Sequence, residues 1–270
     1  MTLSRLKAKL IDKSYTVLAV GLLTLFIFFF LAVFASMGSY AKPESFLKTL
    51  LSDEVIFSVK LSIVTASVST AAALAASIPL AYVLSRVEFP GKSLVDTLLD
   101  IPMVMPPIAL GAALLIFFST PFGEVVQTHT VRFVFEPAGL ILAQFTVVFT
   151  VSVRILKAAF ESVNPRYELA ARTLGCTKAE AFLKVTLPLA RKSILAAAIV
   201  VWARAIGEFG ASVTLAGATR MRTETMPIAI FLSLASADVE KAVAIVFILL
   251  GIAISLLLIL RKIEVVPIWR

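Results

Sequence analysis

The sequence predicts an all-α polytopic membrane protein: one domain over residues 1–270, with six transmembrane helices and a helical hairpin on the side that holds both termini. Three observations predict it. Of 270 residues, 60% are hydrophobic and 16% charged, more apolar side chain than a water-soluble globule can hide. The apolar residues gather into six stretches long enough to cross ~30 Å of hydrocarbon. The basic residues collect on one side of the resulting topology.

In chain order, a basic run (Arg5, Lys7, Lys9, Lys13) precedes a first span over residues 15–37. That span exceeds the 7–15 apolar residues of a secretory signal, so it is expected to stay as an anchor. After a polar loop with Lys42, Pro43, Glu44 and Lys48, a second span covers Val55 to Leu84, with Lys60 placed to snorkel outward. A tight turn follows, holding Arg86 and Pro90-Gly91. Gly91-Lys92-Ser93 resembles the end of a phosphate loop, but Arg86 occupies the position of the required upstream glycine. No G-x4-G-K-[ST] occurs, so the chain itself is expected to hydrolyse no ATP.

The third span, Leu94 to Phe118, is interrupted by Pro102, Pro106 and Pro107, which free carbonyls and bend helices. Asp96 and Asp100 fall in its first turns, suited to the positive helix end. A weakly patterned polar loop, Ser119 to Glu136, leads to a fourth span over Pro137 to Phe160, with Arg154 and Lys157 near its end. A fifth span is expected over Ile194 to Gly217 and a sixth over Ala242 to Leu260, joined by a polar segment with Arg220, Arg222 and Glu224.

Between the fourth and fifth spans lies the long hydrophilic stretch, residues 161–193. Asn164 suits an N-cap and Pro165 the first helical position. Tyr167, Ala170, Ala171 and Leu174 fall on one apolar face, and Glu168 and Arg172 form an i, i+4 pair on the other. Gly175 can adopt the left-handed conformation that ends the helix. Thr177 to Glu180 reads as a capping box opening a second helix, whose apolar side is Phe182, Leu183 and Leu187. So small a hairpin has too little apolar surface to fold alone and is expected to dock on something.

Seventeen basic residues, among them Arg86, Lys92, Arg154, Lys157, Lys184, Arg261 and Arg270, lie on the hairpin side. The other side holds six: Lys42, Lys48, Arg132, Arg220, Arg222 and Lys241. Positive-inside bias therefore places termini and hairpin in the cytoplasm. It also accounts for a net charge of +8 without any nucleic acid. Cys176 is the single cysteine, which excludes an internal disulfide, and one histidine, His129, makes a His-based metal site improbable.

The fifth span carries a second constellation, WARAIGEFGA over Trp202 to Ala211. Arg204 and Glu208 are oppositely charged at i, i+4 near mid-membrane, where a lone charge costs roughly 2.5–3.5 kcal/mol or more. Gly207 and Gly210 permit close helix approach. Two readings stay open: groups lining a substrate pathway, or an ion pair holding a dimer seam.

The hairpin resembles the cytoplasmic loop of permease subunits of binding-protein-dependent ABC importers, which carry E-A-A-x3-G-x9-I-x-L-P. Leu169-Ala170-Ala171, Gly175, Val185, Leu187 and Pro188 stand at the same spacings. The chain departs at Leu169, where the family often has Glu and Glu168 comes one place early, and at Val185 for Ile. Against the same family, the run 202–211, Leu215 to Gly217, Arg222 to Pro227, and Asp100 to Pro107 with Gly111 are similar to the oxyanion branch. The GEFG form is more similar to molybdate or tungstate permeases than to those for sulfate or thiosulfate, which remain the alternative. The resemblance covers about residues 55 to 260.

It implies the membrane subunit of an ATP-driven oxyanion importer in the inner (plasma) membrane of a prokaryote, working as two copies with two cytoplasmic ATPase subunits and an extracytoplasmic binding protein. ATP and Mg would sit on the ATPase, with no cofactor on this chain. Glu168, Leu169, Ala170, Ala171, Gly175, Val185, Leu187 and Pro188 would couple to the ATPase. Pro102, Met105, Pro106, Arg204, Gly207, Glu208 and Gly210 would line the translocation pathway or the dimer seam. The competing classes are a gradient-driven secondary transporter or channel, for which only the third span looks broken, and an intramembrane enzyme, which lacks a nucleophile–base or metal set.

Overall fold

The computed structural model describes residues 3–39 and 43–262. Lys42 and Arg270, and the side chains of Arg5, Lys7, Lys9 and Lys13, lie outside the described part. Thirteen α-helices run along it: α1 Leu3–Gly38, α2 Pro43–Leu50, α3 Asp53–Arg86, α4 Lys92–Val104, α5 Pro107–Phe118, α6 Pro121–His129, α7 Pro137–Glu161, α8 Pro165–Thr173, α9 Lys178–Ala181, α10 Leu187–Ile206, α11 Gly210–Ala216, α12 Met226–Ala235 and α13 Val239–Lys262. A π-helical turn, Phe182–Thr186, joins α9 to α10. Five helices are long and apolar enough to cross a membrane, or six if α4 and α5 together count as one.

The second, fourth and sixth predicted spans match α3, α7 and α13 to within a few residues, and the first matches the apolar part of α1, Ser14–Gly38, the helix itself starting earlier, at Leu3. The expected loop 119–136 instead contains α6, which opens on Thr120: its side chain accepts the Gly123 N–H and Pro121 takes the first position. The expected polar connection before the last span contains the apolar α12. The third span is not one helix: α4 and α5 meet at 107°.

The fifth span is corrected most. The helix begins within the hairpin, runs to Ile206 and stops, so the predicted Ile194 to Gly217 is two helices separated at Gly207. The stretch Lys178–Ile206 is by itself long and apolar enough to cross a membrane, and α11 follows it as a separate short helix. Gly207 and Gly210, which the sequence suggests for close helix packing, flank Glu208 at the break.

α3 and α7 form the centre of the bundle. The buried face of α3 is lined with small residues, among them Ser58, Ser62, Ala66, Ser69, Ala73 and Ser77, all wholly buried. Small side chains let backbones approach and leave hydroxyls to bond across the seam. Ser69 Oγ donates to the Ile141 carbonyl at 2.9 Å, and the Ser77 and Ser152 hydroxyls lie 2.5 Å apart. α1 by contrast is apolar and exposed along its described span, Ser14–Gly38.

The broken halves pack on each other. An added Cβ at Gly111 in α5 would lie 2.8 Å from Ala211 Cα and O in α11. One at Gly210 would lie 3.0 Å from Pro107 Cβ and the Ile108 backbone nitrogen. Backbone atoms cannot yield as a flexible side chain does, so Gly111→Ala should cost about 1–3 kcal/mol. Melting in detergent checks this: Gly111→Ala should melt below the parent, whereas Gly251→Ala, with nothing within 4 Å of its Cβ position, should match or exceed it.

Candidate functional site

The hairpin is built locally as its residues dictate. The Asn164 side chain accepts the Arg166 N–H at 3.0 Å, with Pro165 at the first position. α8 ends where Gly175 turns at φ +95°, the Cys176 N–H reaching back to the Ala171 carbonyl at 3.1 Å. That is the glycine-dependent reversal expected of a left-handed cap. Thr177 and Glu180 close a reciprocal capping box.

What faces inward is the acid of the helix. Along α8 the one buried side chain is Glu168, whereas Tyr167, Leu169, Ala170 and Leu174 are exposed and Ala171 is half-buried. The predicted apolar face thus points away from the protein. Glu168 pairs not with Arg172 but with Arg86 at the end of α3, whose Nε donates to its Oε1 at 2.9 Å. Tyr82 donates to Oε2 at 2.8 Å and Thr186 to Oε1 at 2.6 Å. Arg86 Nη2 also donates to the Phe160 and Val163 carbonyls at 2.8 and 2.6 Å, tying in the end of α7.

A buried carboxylate is tolerable only with such a set of donors. Burial alone pushes the Glu168 carboxyl up, but the hydrogen bonds from Thr186, Arg86 and Tyr82 outweigh it and hold it below its usual value. Rings of Tyr82, Phe160 and Phe182 pack around the cluster, the closest pair, Tyr82 and Phe182, 4.3 Å between centroids. Val185 and Leu187 are half-buried and Pro188 is exposed.

At the same end, Asp96 and Asp100 of α4 meet α7 rather than only a helix dipole. Arg154 Nε donates to Asp100 Oδ1 at 2.5 Å and Nη1 to Asp96 Oδ1 at 3.1 Å, while Lys157 Nζ lies 2.9 Å from Asp96 Oδ2. Two acids at i, i+4 on one span and two bases at i, i+3 on another were a readable complement. Tyr82 and Arg86, some eighty residues from Glu168, left no local signature.

In the middle of the bundle, level with Trp202 Nε1 donating to Ser67 Oγ at 3.0 Å, the predicted ion pair is formed. Arg204 Nη1 lies 2.7 Å from Glu208 Oε2, with Glu208 1% exposed and the Arg204 side chain 39%. The other carboxylate oxygen accepts the Ala211 N–H at 3.0 Å, at the start of α11. Met105 and Pro106 form the α4–α5 break, and Gly210 touches Pro107 and Ile108 just beyond it. The structure thus brings Met105, Pro106, Glu208 and Gly210 to one crossing. Pro102 stays inside α4, and Gly207 is exposed with no close approach beyond its own turn.

At the far end Glu54 pairs with Lys241 and lies 3.9 Å from Arg220, and Arg222 pairs with Glu136. Among the described residues no cluster of three or more His, Cys, Asp or Glu could hold a metal ion.

The Glu168 cluster sets a pH dependence. A depressed carboxyl gives stability that is full above the ordinary glutamate value, roughly 4.3, and is lost as pH falls through the folded value. Glu168→Gln should therefore melt below the parent at pH 7, by about 3 kcal/mol for the stranded Arg86. The gap should start to narrow as pH falls below about 4, where the unfolded chain takes up the glutamate proton, and close as pH passes through the lower folded value. Paired melts from pH 7 to pH 3 measure it.

Residues 73–264 match the binding-protein-dependent transport system inner membrane component family. A probable molybdenum ABC transporter permease protein of Haloferax volcanii is 33% identical over 256 residues, 94% of this chain and 91% of that one. The molybdenum transport system permease protein of Escherichia coli K12 is 34% identical over 67% of this chain and 81% of its own. A bacterial alginate ABC transporter, crystallised with a periplasmic protein carrying an alginate pentasaccharide, has the same fold: TM-score 0.73 at 19% identity, covering 95% of this chain and 96% of that one. The chain belongs to the binding-protein-dependent transport system inner membrane component family, and is a membrane-spanning permease subunit.

Proposed function

We infer that this permease subunit carries a tetrahedral oxyanion, molybdate or tungstate, into the cytoplasm as part of an ATP-driven importer. The observation that carries the substrate class is the identity, over 94% of the chain, to a protein named as a molybdenum permease. The geometry supports it at the crossing of the two breaks, where the Arg204 guanidinium is half-exposed beside a buried Glu208. A planar cation that is always charged suits an oxyanion in transit.

The hairpin end faces the cytoplasm in this reading, as the basic residues there favour. Tyr167, Leu169 and Leu174, exposed on α8 and just beyond it, are then the surface that docks an ATPase subunit. Two copies of the chain, two ATPases holding the ATP and Mg, and an external binding protein complete the machine. Closure of the ATPases moves the hairpins and rocks the spans about the broken segments.

Orientation has a built-in reporter, since Cys176 is the single thiol and lies half-buried at the end of the hairpin turn. An impermeant maleimide should label it in inside-out vesicles lacking the ATPase and miss it in sealed right-side-out ones. Labelling from outside inverts the topology.

Transport is tested in proteoliposomes holding the chain with its ATPase and binding protein. Molybdate or tungstate should enter with ATP and resist excess sulfate; preferential sulfate uptake moves the chain to the sulfate branch. Losing Arg204 strands a buried carboxylate and should cost about 3–5 kcal/mol, more than losing Glu208, which leaves a cation already part-exposed. Gln at both positions should recover stability. If Arg204 passes the oxyanion, that double variant hydrolyses ATP yet imports poorly, and Arg204→Lys keeps part of the uptake; a double variant that imports normally makes the pair structural.

A further inference from the structure

The hairpin does not hand over to α10 by an ordinary helix. The chain widens into a π turn at Phe182–Thr186, where the Leu187 N–H reaches back five residues to the Phe182 carbonyl. Pro188 accounts for it: proline has no N–H for the Lys184 carbonyl, and its ring would strike that carbonyl in a regular helix. The extra residue shifts the register. Buried positions run Ala181, Thr186, Ala190, then Ala197, Val201 and Ala205. In an unbroken α-helix the residue stacked over Ala181 would be Val185; here it is Thr186, wholly buried.

A helical threonine ordinarily turns its hydroxyl onto a carbonyl of the preceding turn. Thr186 instead donates across to Glu168 Oε1 at 2.6 Å, a short charge-assisted bond. The same carboxylate accepts Tyr82 and Arg86 from α3. One acid on α8 is therefore gripped from the root of α10 and from the end of α3 together.

We propose that Thr186 is a positioning residue for energy coupling: the π turn swings its hydroxyl onto Glu168, so that hairpin, α10 and α3 move as one body. The part about coupling rests on the transport reading above; the part about rigidity does not. Val185, the residue an unbroken helix would present there, has no donor for Glu168. A force on the exposed face of α8 would then be absorbed by local hinging rather than passed to the bundle.

Two measurements separate the two parts. Amide hydrogen exchange over residues 165–181 of the membrane-embedded chain should rise roughly ten- to hundredfold in Thr186→Val, the loss of one hydrogen bond to a charged group. Thr186→Ser, which restores the hydroxyl, should return it to the parent rate. Pro188→Ala is the second variant, since it restores an N–H, removes no buried group and favours the helix. It should also speed exchange, by letting the π turn close and rotating Thr186 away. In the full complex with ATPase and binding protein, ATP hydrolysed per oxyanion imported should rise several-fold in Thr186→Val and Pro188→Ala, and not in Thr186→Ser. Exchange unchanged in Thr186→Val, or in Pro188→Ala should the first fail to assemble, overturns the proposal whatever is transported. Faster exchange with an unchanged ratio overturns the coupling role and leaves a structural bond. A parent that imports no oxyanion sinks the transport reading alone, and the exchange result still decides the rigidity.

Discussion

The Glu168 carboxylate holds the hairpin to the rest of the protein. α8 buries no other side chain, so it has almost no apolar grip of its own. An exposed ion pair contributes about 0–1 kcal/mol and could not hold such an element in place. Inside the ring of Tyr82, Phe160 and Phe182 the same charge is short of water, and each donor is needed to make its burial tolerable. The arrangement is directional where hydrophobic packing is not. Tyr82 and Arg86 fix the position against α3, Thr186 against α10, and the Arg86 bonds to Phe160 and Val163 carbonyls against α7.

The α4–α5 and α10–α11 breaks answer a different constraint. In hydrocarbon, freed backbone groups need partners, so irregular backbone is tolerated only where protein or a watery cavity covers it. The breaks at Met105–Pro106 and Gly207–Phe209 cover each other: Gly111 and Gly210 remove the side chains that would keep α5 and α11 apart. Glu208 serves both halves of its own break, accepting the Ala211 N–H of α11 while pairing with Arg204 of α10.

The sequence showed what is local. Spans defined by apolar length, the Asn164 cap, the Thr177–Glu180 box, the Gly175 turn and the Arg204–Glu208 pair all follow from neighbours within a few residues. Two kinds of feature did not. The Glu168–Arg172 pair expected from i, i+4 spacing is not the one formed, because burial turns the acid inward toward Arg86 and leaves the leucines out. The end of α10 at Ile206 was missed because an apolar window reads straight through a three-residue break; GEFG carried the sign, but packing glycines and helix-ending glycines look alike in sequence. Partners some eighty residues apart, such as Arg86 and Glu168, have no spacing to read.

The serine-rich face of α3 bears on how the chain is made. α3 is synthesised before α7, and on leaving the insertion machinery it meets lipid without its partner. Hydroxyls facing acyl chains would then be a liability, yet Ser58 bonds the Val55 carbonyl at 2.8 Å, within its own helix. The Ser85 hydroxyl does the same with Tyr82 at 2.8 Å. Such a helix can wait in the bilayer with those groups satisfied. When α7 arrives, Ser69 and Ser77 supply bonds across the seam. Ser77 reaches both ways, lying 3.5 Å from the Leu74 carbonyl of its own helix and 2.5 Å from the Ser152 hydroxyl, so the bond that holds it in lipid can be traded for the one across the seam.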